Sequence, residues 1–160
     1  MKLKQIVVSV VLLSIILIGW SQYTEQETVS TDPSIISTAG MHWHPKIAIT
    51  ISGEEIPIPA NIGLAGGHNP MHTHETDGTI HLEYEGVVRE DDIRLGRFFE
   101  LWGKEFNNNQ IFENTNSDTE RVHMFVNGVE NSEFENYLLQ ENDLIEIKYG
   151  NDEVGSLMGT

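Results

Sequence analysis

The sequence predicts an α+β domain, a small mixed β-sheet with one packed helix and a histidine-rich insertion. Three observations carry this prediction. Short β-branched or alternating segments recur between turn signals, and the apolar residues of one later segment follow helical spacing. Five of the seven histidines fall in two short stretches, around positions 42 and 72–81. The chain has 160 residues, enough for one domain of ordinary size.

Composition narrows the classes of function. The chain has no cysteine, which excludes disulfides, thiolate metal ligands and a cysteine nucleophile. Lysine and arginine number 9 against 25 aspartates and glutamates, a formal net charge of −16 at pH 7. Because phosphate binding needs a basic surface, we expect no nucleic-acid partner. The acidic balance suits a solvated extracytoplasmic domain and attracts cations, although a halophilic or marine source would explain the same charge without function.

The N-terminal segment predicts export. Lys2 and Lys4 precede an apolar run that ends at Trp20, the pattern of a positive n-region and an h-region. We expect residues 1–20 to be a signal peptide or an N-terminal membrane anchor, so that the remainder lies outside the cytoplasm, secreted or membrane-anchored. Cleavage stays open, because no clean A-x-A site follows.

Three further regions follow from composition. Residues 21–38 are rich in serine, threonine, glutamate and glutamine, which predicts a flexible polar linker. The folded, metal-binding α+β domain is expected over residues 39–150. Residues 151–160 are expected to be a loose tail.

The first half of the domain predicts a hairpin, a loop and a strand. Residues 46–51 are β-branched, and residues 55–60 bear prolines, so we expect a hairpin whose second strand lies at a sheet edge. The glycine- and asparagine-rich stretch 61–70 predicts a loop. Residues 79–85 alternate cleanly, which predicts a strand with His81 and Glu83 on its polar face.

The second half predicts a helix and two strands. Residues 90–92 are acidic and predict a helix N-cap region. The helix follows from apolar residues at i, i+3, i+4 and i+7 spacing and should end at a glycine; these are Leu95, Phe98, Phe99, Trp102 and Gly103. After it we expect, in order, a surface loop at 106–118, a strand at 121–126, a tight turn at Asn127-Gly128, a short helix at 134–139 and a strand at 144–149.

The histidines predict one metal site. In an extended strand residues i and i+2 share a face, roughly 6.5–7 Å apart, so a His-x-His pair aims two imidazoles at one point. Imidazole is the commonest metal ligand in proteins. We therefore predict one transition metal, copper or zinc, bound by some subset of five histidines: His42, His44, His72, His74 and His81.

Other residues near these histidines have candidate roles. Glu75 and Glu83 could orient imidazole rings or serve as a general base for a metal-bound water. In a strand, Met41 and Met71 would point away from the adjacent histidines, which favours core packing. His68 lies in a loop and is left open. For His123, between apolar strand residues, we favour a structural role.

Three resemblances add to these predictions. The element order without the insertion is close to the β-grasp order, and residues 126–147, with Asn127-Gly128 and Glu141-Asn142-Asp143, resemble the last third of ubiquitin-like sulfur carriers. The Gly-Gly tail of those carriers is missing, so their activity is not implied. The series His42-x-His44, His72-Thr-His74, Gly78-x-Ile80-His81-x-Glu83 and Leu95-Gly96-x-Phe98-Phe99-x-x-Trp102-Gly103 resembles uncharacterised small exported or membrane-anchored prokaryotic proteins, which implies one integrated domain.

The third resemblance is to the first cupin motif. Gly66, His72, His74 and Gly86 fit its spacing, but Thr79 stands where the motif has a glutamate. A cupin-like β-barrel is therefore the alternative fold.

Three functions are compatible with these patterns. The first is an extracytoplasmic protein that sequesters or delivers copper or zinc. The second is a metal-dependent enzyme in which three histidines activate water, a hydrolase or lyase, or a cupin-like oxygenase. The third is a β-grasp interaction module with a structural metal. Protein partners and oligomeric state stay open.

Overall fold

The structure is a computed structural model that describes residues 32–151. The predicted signal or anchor (1–20), the first part of the predicted linker and almost all of the predicted tail lie outside the described residues. Between residues 32 and 151, no helix is long and apolar enough to cross a membrane. All of the elements described below belong to one unit of the chain, Ser34–Thr160.

The described residues are mostly β-sheet with one α-helix, an α+β fold as the sequence predicts. The strands are β1 (Ile35–Ser37), β2 (Met41–Trp43), β3 (Lys46–Ile51), β4 (Glu54–Ile56), β5 (Met71–His72), β6 (His81–Tyr84), β7 (Val88–Arg89), β8 (Phe106–Asn107), β9 (Gln110–Ile111), β10 (Asn114–Thr115), β11 (Arg121–Val126), β12 (Val129–Glu130) and β13 (Leu144–Gly150). The helix α1 spans Leu95–Trp102, and short 3-10 turns cover Glu90–Asp92 and Phe134–Asn136.

The largest sheet has five strands in the order β12-β11-β13-β3-β4. Its central strands β13 and β3 are parallel, and the other neighbours are antiparallel. Alternation places Ile47 and Ile49 of β3 and Ile145 and Ile147 of β13 in the core. The predicted strands at 46–51 and 121–126 are confirmed. The second strand of the predicted hairpin, β4, lies at a sheet edge as expected, but it ends at Ile56, so the prolines at 57 and 59 follow the strand instead of lying in it.

Helix α1 buries Leu95, Phe98 and Phe99 of the predicted apolar stripe, and the fourth residue of the stripe, Trp102, is partly buried against the core. The predicted N-cap region is wrong, because the residue that caps α1 is Arg94 and no side chain caps the helix there. The acidic residues instead form the 3-10 turn Glu90–Asp92, whose last carboxylate accepts a hydrogen bond from the backbone N–H of Arg89 at 2.8 Å.

Two segments are more ordered than predicted. The stretch 106–118, expected as a loop, forms a small sheet in the order β10-β9-β8, whose Phe106 ring stacks on Phe99 at 4.4 Å between centroids. Strand β1 lies inside the expected linker 21–38 and pairs with β7, so ordered structure begins before residue 39. Both segments consist of strands of two or three residues, which are too short to show a period in the sequence.

A separate three-stranded sheet carries the histidines, in the order β2-β6-β5. Gly78 attaches it to the large sheet, because its carbonyl accepts a hydrogen bond from the N–H of Ile47 at 2.9 Å. Gly78 has a positive φ of 78°, and a Cβ there would lie 2.2 Å from the Ile47 carbonyl oxygen, so only glycine fits. The sheets are open, with β12 and β4 at the edges of the largest, so the alternative of a cupin-like barrel is wrong for these residues.

Candidate metal centre

The register of the three-stranded sheet collects polar side chains on one face. His42 of β2 lies opposite Glu83 of β6, and His72 of β5 lies opposite His81. Residues that face each other across a strand pair share a face, as do residues two apart, so these four side chains lie on the same side of the sheet.

The other face of this sheet enters the hydrophobic core. Met41 and Met71 are buried there with Leu82. The thioethers therefore point away from the histidines, as the strand alternation predicted. The same alternation of residues thus sets both the face that carries the histidines and the face that enters the core.

His72 is fully buried and its tautomer is fixed. Its Nδ1 lies 2.9 Å from the carbonyl oxygen of Asn69, which only accepts, so Nδ1 carries the proton and donates. In the neutral ring this leaves Nε2 as the basic nitrogen. Burial lowers the pKa of His72, and positive charge on His68 or His74 would act in the same direction, which favours the neutral form that binds metals.

His74 reaches the same point from outside the strand. Strand β5 ends at His72, and His74 lies in the bend that follows. The expectation of an extended His-x-His pair is therefore only half right, yet the two Nε2 atoms are 3.0 Å apart. Between them Thr73 is fully buried, and its hydroxyl donates to the carbonyl of Pro59 at 2.8 Å, which fixes the turn.

His81 and Glu83 complete the group from β6. The Nδ1 of His81 lies 3.6 Å from Glu83 Oε1, and this buried nitrogen has no hydrogen-bond partner among the described residues. Burial lowers the pKa of His81, and neighbouring His74 and His44 act in the same direction against Glu83. A neutral imidazole nitrogen that is buried and unpaired is costly unless it meets a ligand.

Four residues can hold one metal ion: His72, His74, His81 and Glu83. One ligand atom from each lies within 4.8 Å of every other. Two ligands about 2.0–2.1 Å from one tetrahedral ion lie about 3.3 Å apart, so the distances of 3.0 Å and 3.6 Å within this group are close to those of a coordinated set.

His42 and His44, also predicted as ligands, lie beside this group rather than within it. The Nε2 of His42 is 3.5 Å from Glu83 Oε1, and the ring of His44 is 5.0 Å from that of His81. A carboxylate that the sequence did not indicate, Glu141, accepts a hydrogen bond from the N–H of His44 at 2.8 Å.

The parallel pairing of β13 with β3 in the large sheet places Glu141 next to His44. Leu144 of β13 is paired with Lys46 of β3, so the residues preceding the two strands also run side by side. Nothing in the local sequence of Glu141 could have revealed this contact, because it depends on a pairing between segments 97 residues apart. His68, left open by the sequence, adds a further imidazole, 4.4 Å from the His72 ring.

The two remaining candidates lie elsewhere. Glu75, a candidate general base, is exposed and is not part of the four-residue group. His123 lies on β11, opposite Lys148 and with its Nδ1 3.3 Å from Glu130 Oε1. Of the two candidate bases, only Glu83 lies at the cluster.

An open pocket of about 840 Å³ adjoins the cluster. Its lining includes His42, His68 and Glu83 together with Tyr84 and Met41. A small molecule or solvent can therefore approach the exposed side of the histidine cluster without rearrangement.

A scan against protein-family models, a search of curated proteins and a search of solved structures each found no match to this chain.

Proposed function

We propose that this chain is an extracytoplasmic transition-metal-binding protein that sequesters or delivers copper or zinc. The observation that carries the proposal is the convergence of three imidazoles and one carboxylate, His72, His74, His81 and Glu83, within 4.8 Å. The Asn69 carbonyl bond to His72 supports it, because such a bond orients the ring of a metal-ligating histidine.

The donor set supports the choice of metal. Nitrogen and oxygen ligands suit Zn²⁺ and Cu²⁺, whereas Cu⁺ prefers sulfur. The chain has no cysteine, and its two methionines next to the histidines, Met41 and Met71, are turned into the core. We therefore propose a divalent ion.

The proposed location outside the cytoplasm and the proposed β-grasp-like fold are each supported by a different observation. The apolar segment after Lys2 and Lys4 supports export, with the N-terminus as signal or membrane anchor and the domain outside the cytoplasm. The sheet order β12-β11-β13-β3-β4, with a parallel central pair and a hairpin at one edge, supports a β-grasp-like arrangement into which the histidine-bearing segment is inserted.

A second candidate function is a metal-dependent enzyme, and the adjoining pocket favours it. Three histidine ligands would leave a coordination position for water, and Glu83 lies within 4.8 Å of these histidines and lines the pocket. In this alternative Glu83 is the general base rather than a ligand.

Metal content of the full chain, purified without a polyhistidine tag, tests the proposal. The stripped protein is exposed to equal zinc, copper, nickel and iron, dialysed, and analysed by plasma mass spectrometry. We expect retained zinc or copper in the wild type, loss of the tightly held ion in His72→Ala/His74→Ala, and full retention in His123→Ala, the histidine outside the cluster. A wild-type protein without retained metal would contradict the proposal.

A further inference from the structure

We propose that the histidine cluster binds two metal ions that share the carboxylate of Glu83. The inference rests on the proposed function and extends it. The first ion is held by His72, His74 and His81, and the second by His42, His44 and Glu141. Both are divalent cations of the same class.

The cluster holds more donors than one ion uses. Six imidazoles follow one another in contact, with ring centroids 4.8 Å apart for His42 and His44, 5.0 Å for His44 and His81, 4.7 Å for His81 and His74, 4.6 Å for His74 and His72, and 4.4 Å for His72 and His68. A zinc site in a protein uses about four ligands. If one ion is bound by His72, His74 and His81, the imidazoles of His42, His44 and His68 are not used as its ligands.

Glu83 lies between the two donor sets. Its Oε1 is 3.5 Å from His42 Nε2 on one side and 3.6 Å from His81 Nδ1 on the other. A carboxylate offers two oxygens and about four lone-pair directions, enough to reach two ions. In two-metal sites the ions lie about 3.5–4 Å apart, a separation that a shared carboxylate accommodates.

Glu141 supplies a carboxylate to the second set alone. Its Oε2 accepts the N–H of His44 at 2.8 Å, which anchors the side chain, and its Oε1 lies 3.7 Å from His44 Nδ1. This spacing is again near the roughly 3.3 Å expected of two ligands on one ion. The second set therefore combines the imidazole of His42 from β2 and that of His44, which directly follows β2, with the carboxylates of Glu83 and Glu141.

The two sets differ in burial. In the first set His72 is fully buried and the side chain of His81 is 21% exposed, although His74 is exposed; in the second set the side chain of His42 is 66% exposed and those of His44 and Glu141 are each 38% exposed. An ion among exposed ligands retains water and exchanges readily. The second ion is accordingly the weaker one, and it lies toward the open pocket that His42 lines.

Titration of the stripped full chain with Zn²⁺, read by plasma mass spectrometry after removal of free ion, tests the inference. We expect two equivalents in the wild type, the second bound at least about tenfold more weakly than the first. His42→Ala/His44→Ala should retain one tight equivalent, which also shows that the variant is folded. Glu141→Gln should weaken only the second equivalent, by about tenfold, and His123→Ala should leave both unchanged.

Cu²⁺ resonance spectra test the shared carboxylate. The first equivalent should give an isolated Cu²⁺ signal, and the second should broaden it or reduce the intensity per copper because the two ions couple. In His42→Ala/His44→Ala the isolated signal should persist under excess copper.

The outcomes separate the two proposals. Saturation of the wild type at one equivalent overturns the second ion but leaves the proposed function intact. A second equivalent that survives His42→Ala/His44→Ala assigns it to the acidic surface and also overturns the inference. No bound metal overturns both.

Discussion

His81 and His123 occupy the same local pattern on two strands and have different surroundings. His81 stands between Ile80 and Leu82, and His123 between Val122 and Met124, and all four flanking residues are buried. Both histidines therefore point to the side of their strand that faces away from the main core. The two flanking residues therefore do not distinguish the histidines; the sequence grounds for predicting only His81 as a ligand are Glu83 two residues later and the nearby His72 and His74.

The strands beside them decide the difference. His81 lies opposite His72, whereas His123 lies opposite Lys148. The first pairing concentrates basic nitrogens next to Glu83, while the second places a cation beside a histidine that is paired with Glu130. Strand register, and not the immediately flanking residues, thus places His81 in the candidate metal group and His123 outside it.

The largest expected effect separates these two histidines directly. His81→Ala should weaken zinc or copper binding more than about 100-fold, since changes to outer partners of metal ligands alone cost 10–100-fold. His123→Ala should change the dissociation constant less than about twofold. Isothermal titration of both stripped proteins measures this, and equal losses in the two variants would remove the distinction.

The second prediction concerns Gly78, whose contact with Ile47 connects the segment before the His81 strand to the large sheet. Gly78→Ala combines a positive φ with a Cβ 2.2 Å from the Ile47 carbonyl oxygen, so we expect a loss of roughly 3 kcal/mol in the free energy of unfolding. Gly53→Ala is the matched control, because its φ is also positive and no atom lies within 4 Å. It should cost about 1 kcal/mol. Urea unfolding of both variants checks the difference, and a similar cost in both would contradict the close approach.

The third prediction concerns the contribution of the Glu83 carboxylate to metal affinity in the group that contains His81. Glu83→Gln should weaken the tight metal by about 10–100-fold, because the amide keeps the shape and loses the charge. Glu75→Gln, a change at an exposed residue outside the group, should have no effect on metal binding. If Glu83→Gln kept full affinity and abolished a turnover seen in the wild type, Glu83 would be the base of an enzyme instead of a ligand.

The smallest effect is the pH dependence of the metal-free protein. Histidines in an unfolded chain titrate near pH 6.5. The pKa values of His72 and His81 are lowered in the folded state, so below about pH 6.5 the unfolded state binds more protons and stability falls as the pH falls. The slope is at most about 1.4 kcal/mol per pH unit for each histidine.

Urea midpoints of the chelator-treated protein between about pH 7.5 and 5.5 measure this slope. The His72→Gln/His81→Gln variant should show a shallower slope over the same window. A wild-type slope that is flat, or that rises toward acid, would show that burial does not hold these rings neutral.

The large sheet could be predicted because its strands carry their own signals. The segment 46–51, rich in β-branched residues, predicts a strand from its own composition, and Asn127-Gly128 predicts a tight turn in the same way. The structure has the strand and the turn at these positions. The stretch 106–118 could not be predicted in this way. Its strands have two residues each, and their asparagines indicate turns more strongly than the buried Phe106 and Ile111 indicate strands.

The candidate site was predictable in kind and less so in arrangement. The histidine spacing pointed to a metal, and alternation correctly turned Met41 and Met71 toward the core. The division between the four-residue group around the buried His72 and the neighbouring His42 and His44 depends on which strands are neighbours. The contact of Glu141 depends on the parallel alignment of β13 with β3, which no short-range pattern contains.

The hydrogen bonds of Thr73 tie the loop that contains Asn61 and Ile62 to the segment that carries His72 and His74, so we expect the two segments to unfold locally together. Its backbone N–H donates to the carbonyl of Ile62 and its carbonyl accepts from Asn61, while its hydroxyl accepts from the N–H of Ile62 at 3.1 Å. The amides of Ile62 and Thr73 should therefore exchange with deuterium together. The rate at which the ion proposed at His72 dissociates would then be limited by local opening of this loop. That ion could therefore stay bound for long periods even though His42 and His44 are exposed.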